Sequence, residues 1–162
     1  MKYIIIILGI FFVTSIAYNP GAYEKIINKK VDFSLLSDDD KLFEFLWNDF
    51  HIPYDEKIQK VMVFISTTKS SLGKWTGAFG TTTNVPLAYF TMSIDMRIAF
   101  TTNKGSITWK IDSETQNNIR RGATGMLVWG VWDIDCNDFT IDKVVVFTDK
   151  YKGGYYDDNS TK

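Results

Sequence analysis

Aromatic rings are the side chains of this sequence best suited to surface chemistry, and there are more of them than a small core needs. The 162 residues include five Trp, eight Tyr and twelve Phe. An exposed ring can stack on the apolar C–H face of a sugar, because both surfaces then leave water. For each ring, packing in the core is the alternative. A row of exposed rings would recognise an extended sugar chain. The candidate rings are Trp75, Tyr89, Phe90 and Trp132, and the carboxylate of Asp133 would accept hydrogen bonds from sugar hydroxyls.

The nucleophiles and bases of an enzyme are sparse. His51 is the single histidine, and one imidazole cannot build a multi-histidine metal site. The single cysteine, Cys136, follows Asp135, and a neighbouring carboxylate disfavours the thiolate that a nucleophile requires. We therefore expect a turn histidine, a structural thiol without an internal disulfide, and no catalytic residue.

Carboxylates are the remaining catalytic candidates. Asp133 and Asp135 would share a face of a strand and could form the acid pair of a glycosidase. The acidic stretch that they begin faintly resembles a calcium loop, but Asp138 and Val144 stand where an EF-hand has glycine and an acid. A solvated turn is the simpler interpretation, so we expect no cofactor, with a structural calcium left open.

The net charge limits the partners of the chain, and the N-terminal residues indicate its location. The formal net charge of −1 implies no basic face for nucleic acid. Lys2, the apolar run Ile4–Ala17 and the small residues Ser15 and Ala17 are typical of a signal peptide cleaved after Ala17. An uncleaved anchor is the alternative, but the run is shorter than a usual membrane span. We therefore predict a secreted, extracellular monomer.

After the N-terminal residues, the sequence consists mainly of short β-like segments separated by turn residues. We predict a signal peptide at 1–17, a linker or tail at 18–36, one domain at 37–151 and a polar tail at 152–162. Such spacing predicts an all-β antiparallel β-sandwich, jelly-roll-like, of about eight strands. Glu114–Arg121 is the one helical candidate. The candidate strands are Phe43–Phe50, Ile58–Thr67, Lys74–Gly80, Ala88–Ser93, Arg97–Thr101, Ser106–Ile111, Gly125–Ile134 and Phe139–Asp149.

Strand alternation assigns side chains to faces. In Ile58–Thr67 one face is β-branched and belongs in the core, whereas Met62 and Phe64 fall on the other. In Ser106–Ile111 the same argument places Trp109 in the core. The inward residues of the two segments are Val61, Val63, Ile65, Ile107, Trp109 and Ile111.

The segment Gly125–Ile134 is apolar on both faces. A glycine beside a tryptophan leaves flat space for a ring or a ligand. On that ground Gly130 favours Trp129 in the core and Trp132 on the outer face. Burial of both tryptophans remains the alternative.

Five motifs in this order resemble accessory modules of rumen-bacterial cellulosomal cellulases. Those modules are non-catalytic carbohydrate-binding modules with a β-sandwich fold. The resemblance extends over about Phe50 to Asp149. The motifs are SLGKWTGAFGT (71–81), YFTM (89–92), GSITWKIDS (105–113), GVWDIDC (130–136) and FTIDKV (139–144).

The resemblance implies binding of cellulosic β-glucan or related hemicellulose through a planar aromatic surface. This chain departs from the pattern at two places: it has Tyr89-Phe90 instead of Tyr-Trp, and Trp132-Asp133 instead of paired tryptophans. A phenyl ring still stacks, and a carboxylate can only accept hydrogen bonds. These changes predict weaker binding, a different glucan or lost binding.

Two other functions compete with polysaccharide binding. One is a small secreted glycoside hydrolase or lyase that uses Asp133 and Asp135. The other is a surface-adhesion or protein-interaction sandwich, in which Met62, Phe64 and Phe147 form an apolar patch for a protein partner.

Overall fold

The computed structural model describes residues 19–32, 35, 41–68, 72–82, 89–99, 104–111, 119, 123–133, 138–154 and 156. For residues 72–78, 82, 89–99, 128–133 and 138–139 it describes the backbone alone. The predicted signal peptide, the helical candidate apart from Ile119, and Cys136 lie outside these ranges.

Eight strands make up almost all of the described structure. A 3₁₀ helix, Trp47–Phe50, follows the second strand. The two segments Ala88–Ser93 and Arg97–Thr101 correspond to one strand. The strands are β1 Ala22–Asp32, β2 Lys41–Leu46, β3 Ile58–Ser66, β4 Leu72–Thr82, β5 Tyr89–Ala99, β6 Lys104–Lys110, β7 Thr124–Asp133 and β8 Asp138–Thr148.

The strands form two four-stranded sheets in the orders β1-β8-β3-β6 and β2-β7-β4-β5. All pairs are antiparallel. Apart from β4 and β5, consecutive strands lie in different sheets, as in a jelly roll. The predicted all-β sandwich is therefore confirmed.

The core between the sheets is built from the alternating residues of the strands. Val61, Val63 and Ile65 on β3 are buried, as predicted. So is Trp109 on β6, whose ring stacks on Phe79 of the other sheet with centroids 4.9 Å apart. Aromatic stacking thus joins the two sheets across the core.

The N-terminal segment is not the linker that its composition suggested. Residues 22–32 form β1, which pairs with β8 from Ala22 opposite Phe147 to Asp32 opposite Asp138. Because β1 is the edge of its sheet, polar residues such as Glu24 and Lys29 are exposed on it, and its pairing with β8 shifts register between Ile26 and Lys29. Charged side chains are common on edge strands because they discourage pairing with other chains.

The C-terminal tail also belongs to the fold. Tyr156 is 7% exposed and its ring packs on Phe147, with centroids 5.3 Å apart. Its hydroxyl donates to Oε2 of Glu24 at 2.5 Å. Under it, Met62 and Phe147 are 4% and 1% exposed. The prediction of an apolar patch open to a protein partner at Met62, Phe64 and Phe147 is therefore wrong, because the tail covers it.

Replacing Tyr156 with alanine is expected to lower the free energy of unfolding by about 3 kcal/mol, since the ring leaves a cavity over Met62 and Phe147. Tyr156→Phe keeps the ring and loses only the hydrogen bond to Glu24, which costs about 1 kcal/mol. Urea unfolding followed by tryptophan fluorescence measures both. Equal stability of Tyr156→Ala and the parent chain would contradict this account.

Candidate binding face

All five predicted binding residues lie on the β2-β7-β4-β5 sheet. Trp75 is on β4, Tyr89 and Phe90 begin β5, and Trp132 and Asp133 end β7. Their side chains lie outside the described part of the structure. The backbone register nevertheless gives each position its neighbours and its face.

Buried side chains identify the face of this sheet that meets the core. Phe79 and Thr81 on β4 are each 2% exposed, and Leu127 on β7 is fully buried. We call the face that carries these three residues the Phe79 face and the other the Tyr89 face. Because residues directly opposite each other in an antiparallel pair lie on the same face, the register extends this assignment to the neighbouring strands.

The register separates Tyr89 from Phe90. The Cα of Phe90 is paired with that of Thr81, and Tyr89 with Thr82, and β4 and β5 pair without a bulge along their whole length. Phe90 therefore lies on the Phe79 face and Tyr89 on the opposite one. The alternation along β5 agrees, since the positions that share the face of Phe90 are all apolar: Met92, Ile94, Met96 and Ile98.

A β-bulge in β7 decides the face of Trp132. Ala78 is opposite Val128 but Thr76 is opposite Val131, so two residues of β7 stand opposite Gly77 alone. One extra residue moves every later residue of a strand to the other face. Beyond the bulge Trp132 is opposite Trp75, four residues before Phe79 on a regular strand. Both tryptophans therefore lie on the Phe79 face, and Asp133 lies on the Tyr89 face.

The Tyr89 face is open to solvent at its β2 edge. Glu44 is exposed there, and Leu46 is 46% exposed. Leu46 is opposite Thr124, Thr124 is opposite Thr82, and Thr82 is opposite Tyr89, so one row crosses all four strands. Along β5 the same face carries positions whose side chains can form hydrogen bonds: Thr91, Ser93, Asp95 and Arg97.

The groups considered for catalysis or metal binding do not assemble in the described residues. His51 is exposed at the end of the 3₁₀ helix, with a φ of 51°, as expected for a turn histidine. The described ranges contain no group of three or more possible metal ligands. Oδ1 of Asp142 accepts a hydrogen bond from Ser66 at 2.8 Å. Asp135 lies outside the described residues.

One polar cluster at the end of the sandwich escaped the sequence analysis. Oε2 of Glu56 accepts hydrogen bonds from the hydroxyls of Tyr23, at 2.6 Å, and Thr148, at 2.7 Å. Burial, and then the hydrogen bond to Glu56, raise the pKa of Tyr23 far above its ordinary value. Glu56 is 33 residues from Tyr23 and 92 residues from Thr148 in the chain, so no local pattern could have indicated the cluster. In the described ranges no helix is long and apolar enough to cross a membrane.

The family model described as a domain of unknown function (DUF5620) matches residues 37–147. No curated protein matches the chain. Two distant solved structures are the tobacco streak virus coat protein and the CBM22-1–GH10 modules of Clostridium thermocellum xylanase 10B with xylohexaose. The coat protein is 9% identical with a TM-score of 0.34, and the match covers 83% of this chain and 90% of the coat protein. The xylanase modules are 12% identical with a TM-score of 0.35, and the match covers 83% of this chain and 27% of theirs.

A nearer relative is a carbohydrate binding module of Cel9A, a family 9 glycoside hydrolase from Ruminococcus flavefaciens FD-1. It is 37% identical with a TM-score of 0.65, and the match covers 79% of this chain and 98% of the module. A binding module is separate from the catalytic domain of its enzyme, so this relationship confirms the prediction of a chain that is not an enzyme. With the family model matching more than half of its length, the chain belongs to the DUF5620 family and is a relative of the Cel9A carbohydrate binding module.

Proposed function

We propose that the chain binds a plant cell-wall polysaccharide, a cellulosic β-glucan or a related hemicellulose, and does not cleave it. The observation that carries the proposal is the relationship to the Cel9A module, at 37% identity over 98% of that module's length. A binding module keeps the catalytic domain of its enzyme near the polysaccharide substrate. A related chain is expected to bind the same class of polymer.

The proposed binding surface is the Tyr89 face. Glu44 and Leu46 are exposed at the β2 edge of this face, and Met126 of β7, opposite Glu44, is 6% exposed. An extended sugar chain can lie along such a sheet. Tyr89 supplies a ring for stacking on a pyranose, and Asp133 supplies a carboxylate that accepts hydrogen bonds from sugar hydroxyls. The polar positions of β5 extend this array along the strand. Of the five residues predicted from sequence, these two are the ones that we propose for ligand contact.

We do not propose Trp75, Phe90 and Trp132 for contact with the ligand. Their positions lie on the face that carries Phe79, so we assign them to the support of the sheet from the core side. Neighbours on a strand point to opposite faces, so only one residue of the pair Tyr89 and Phe90 can meet a ligand on this surface. The register favours Tyr89.

We also propose that residues 1–17 are a signal peptide, that cleavage follows Ala17, and that the chain acts outside the cell as a monomer. Lys2 and the apolar run to Ala17 support export. Mass spectrometry of the protein recovered from the medium of an expressing cell would show an N-terminus at Tyr18. Recovery of the intact N-terminus in the membrane fraction would favour the anchor instead.

The binding experiment is affinity electrophoresis in gels that contain xyloglucan, mixed-linkage β-glucan or mannan, together with sedimentation on insoluble cellulose. We expect at least one polysaccharide to retard the parent chain. Tyr89→Ala is expected to weaken that binding about tenfold, since one stacked ring contributes roughly 1–2 kcal/mol. The urea midpoint should stay unchanged, because the position lies on the Tyr89 face.

Ile26→Ala is the matched control. Ile26 is an apolar residue, 58% exposed, on β1 of the other sheet, so its removal should leave retention as it is. If none of the four polysaccharides retards or sediments the parent chain, the proposed function is wrong. If they do and Tyr89→Ala binds equally well, the assignment of the Tyr89 face is wrong and the function stands.

A further inference from the structure

Lysine is the one kind of charged residue on the strands β3 and β6. Neither strand contains an acidic residue, whereas β6 begins at Lys104 and ends at Lys110, and β3 carries Lys60. These two strands are neighbours at one edge of the β1-β8-β3-β6 sheet. The formal net charge of −1 therefore averages over an uneven distribution, with positive charge collected at this edge.

The three lysines project from the outer face of the sheet. β3 and β6 pair without a register shift, with Lys60 opposite Lys110 and Met62 opposite Thr108. Met62 packs in the cluster under the C-terminal tail and not in the core between the sheets. Because alternate residues of a strand share a face, all three lysines lie on the face of Met62.

The outer positions of β6 form a polar row in contact with solvent. Lys104, Thr108 and Lys110 are exposed, and Ser106 between them is half-buried. Six residues separate Lys104 from Lys110, which is about 20 Å along a strand. Among the residues that the structure describes, neither of these two ammonium groups has an ion-pair partner. We name this row, together with Lys60, the lysine edge.

Two lysines of the lysine edge stand directly opposite each other, at Lys60 and Lys110. Like charges in directly opposite positions destabilise an antiparallel pair. The ammonium of Lys60 is held over two rings, 4.5 Å from the centroid of Phe147 and 5.6 Å from that of Tyr151. An anion bound next to both lysines would offset their repulsion.

The carboxylates that bond to this face come from β1 and β8 and already accept hydrogen bonds. Oε2 of Glu24 accepts from Nζ of Lys143 at 3.3 Å and from the hydroxyl of Tyr156 at 2.5 Å. Oδ1 of Asp142 accepts from the hydroxyl of Ser66 at 2.8 Å. The excess of positive charge is therefore greatest on β6, the strand farthest from β1.

Protection of an edge strand does not explain the single sign of these charges. Charged side chains discourage an edge strand from pairing with other chains, whichever sign they have. The opposite edge strand, β1, shows this, since it carries Glu24 and Asp32 as well as lysines. The lysine edge carries positive charge alone, which is the pattern of a surface for an anionic partner.

We propose that the lysine edge binds an acidic polysaccharide, one whose sugars carry uronate carboxylates. Ammonium groups form charge-assisted hydrogen bonds with carboxylates, and the hydroxyls of Ser106 and Thr108 between them can bond to sugar hydroxyls. A row of about 20 Å suits an extended polymer better than a small anion. β6 presents no ring on this face on which a nucleic acid base could stack. The inference goes beyond the proposed function, because it concerns the other sheet and a charged polymer.

The test measures retention of the full chain on beads that carry polygalacturonate. We expect saturable binding at low salt that disappears at about 1 M NaCl, where the Debye length is about 3 Å. Beads that carry methyl-esterified polygalacturonate have the same sugar without its charge and should retain little protein. Tyr89→Ala should bind polygalacturonate like the parent chain, since it changes the other sheet.

The double variant Lys104→Gln with Lys110→Gln is expected to bind polygalacturonate about tenfold more weakly, because two surface charge contacts are lost. Lys104→Arg with Lys110→Arg keeps the charge, so its affinity should stay within about twofold of the parent chain. The matched control is Lys29→Gln with Lys30→Gln, which removes the same charge from exposed positions on β1 and should also stay within about twofold. All variants should keep the urea midpoint of the parent chain, because every substituted side chain is exposed.

The inference is overturned if the parent chain is not retained on polygalacturonate, or if the glutamine variant of β6 binds like the parent chain. Equal losses in the β6 and β1 glutamine variants would overturn it too, since net charge and not the lysine edge would then govern binding. Polyglutamate and single-stranded DNA are the competing polyanions. If either is bound as tightly as polygalacturonate, the surface does not select a polysaccharide and the inference fails. Each of these results leaves the proposed function standing, because that function is tested with uncharged polysaccharides.

Discussion

Phe79→Ala is expected to lower the free energy of unfolding by about 3–5 kcal/mol. The ring is 2% exposed and occupies the centre of an aromatic cluster that spans both sheets. It stacks on Trp109 of β6 at 4.9 Å and on Phe45 of β2 at 6.5 Å, and it meets the edge of Trp47 at 6.4 Å. Its removal leaves a cavity where three other rings lose contacts, and the backbone cannot collapse to fill it.

Urea unfolding followed by far-ultraviolet circular dichroism measures the loss without relying on the fluorescence of the neighbouring tryptophans. Tyr54→Ala is the matched control, because that ring is 80% exposed and its loss should change stability by less than about 0.5 kcal/mol. A Phe79→Ala variant as stable as the parent chain would mean that the two sheets are joined by contacts other than this cluster.

Alternation predicted the core on β3 and β6, which pair with each other without a register shift. On β3 the inward residues are all β-branched, and on β6 the residues that alternate with them are polar, so Val61, Val63 and Trp109 could be assigned from the sequence and are fully buried. The sandwich fold followed from the spacing of such segments. In these strands local composition and tertiary environment agree, which is why a pattern of period two was sufficient.

The two ends of the domain could not be predicted, because their partners are distant in sequence. Ala22 is opposite Phe147, and the hydroxyl of Tyr156 reaches Glu24, 132 residues away. A polar edge strand and a polar loop have the same composition, so Lys29 and Lys30 indicated a linker. The covering of Phe147 by Tyr156 likewise depends on a contact that neither local segment encodes.

The sequence predicted only part of the binding face, because alternation separates neighbouring residues but does not indicate a bulge. Alternation required Tyr89 and Phe90 to lie on opposite faces, and pairing with the buried Thr81 determined which is which. The bulge opposite Gly77 had no recognisable signal, since β7 is apolar on both faces. A single inserted residue reversed the face expected for Trp132. The argument from Gly130 concerned flat space for a ring or a ligand and did not indicate a change of register.

Trp132→Ala is therefore expected to lower the free energy of unfolding by about 3–5 kcal/mol, the usual loss for a tryptophan on the core side of a sheet. Trp132 is opposite Trp75, and the two positions share the face of Phe79. Thermal unfolding by calorimetry measures the loss. The variant should be assayed for polysaccharide retention only at temperatures where it is still folded, and there its affinity should remain within about twofold of the parent chain.

Trp132→Phe provides the control, since it keeps an apolar ring in the same place and should recover more than half of the lost stability. The comparison with Tyr89→Ala separates the two faces. Trp132→Ala should lose stability and keep binding, whereas Tyr89→Ala should lose binding and keep stability. If Trp132→Ala instead keeps its unfolding temperature and no longer binds, the strand beyond the bulge presents its tryptophan to the polysaccharide. The binding surface would then include Trp132, as the resemblance implied, and the assignment of faces by register would have to be abandoned for the end of β7.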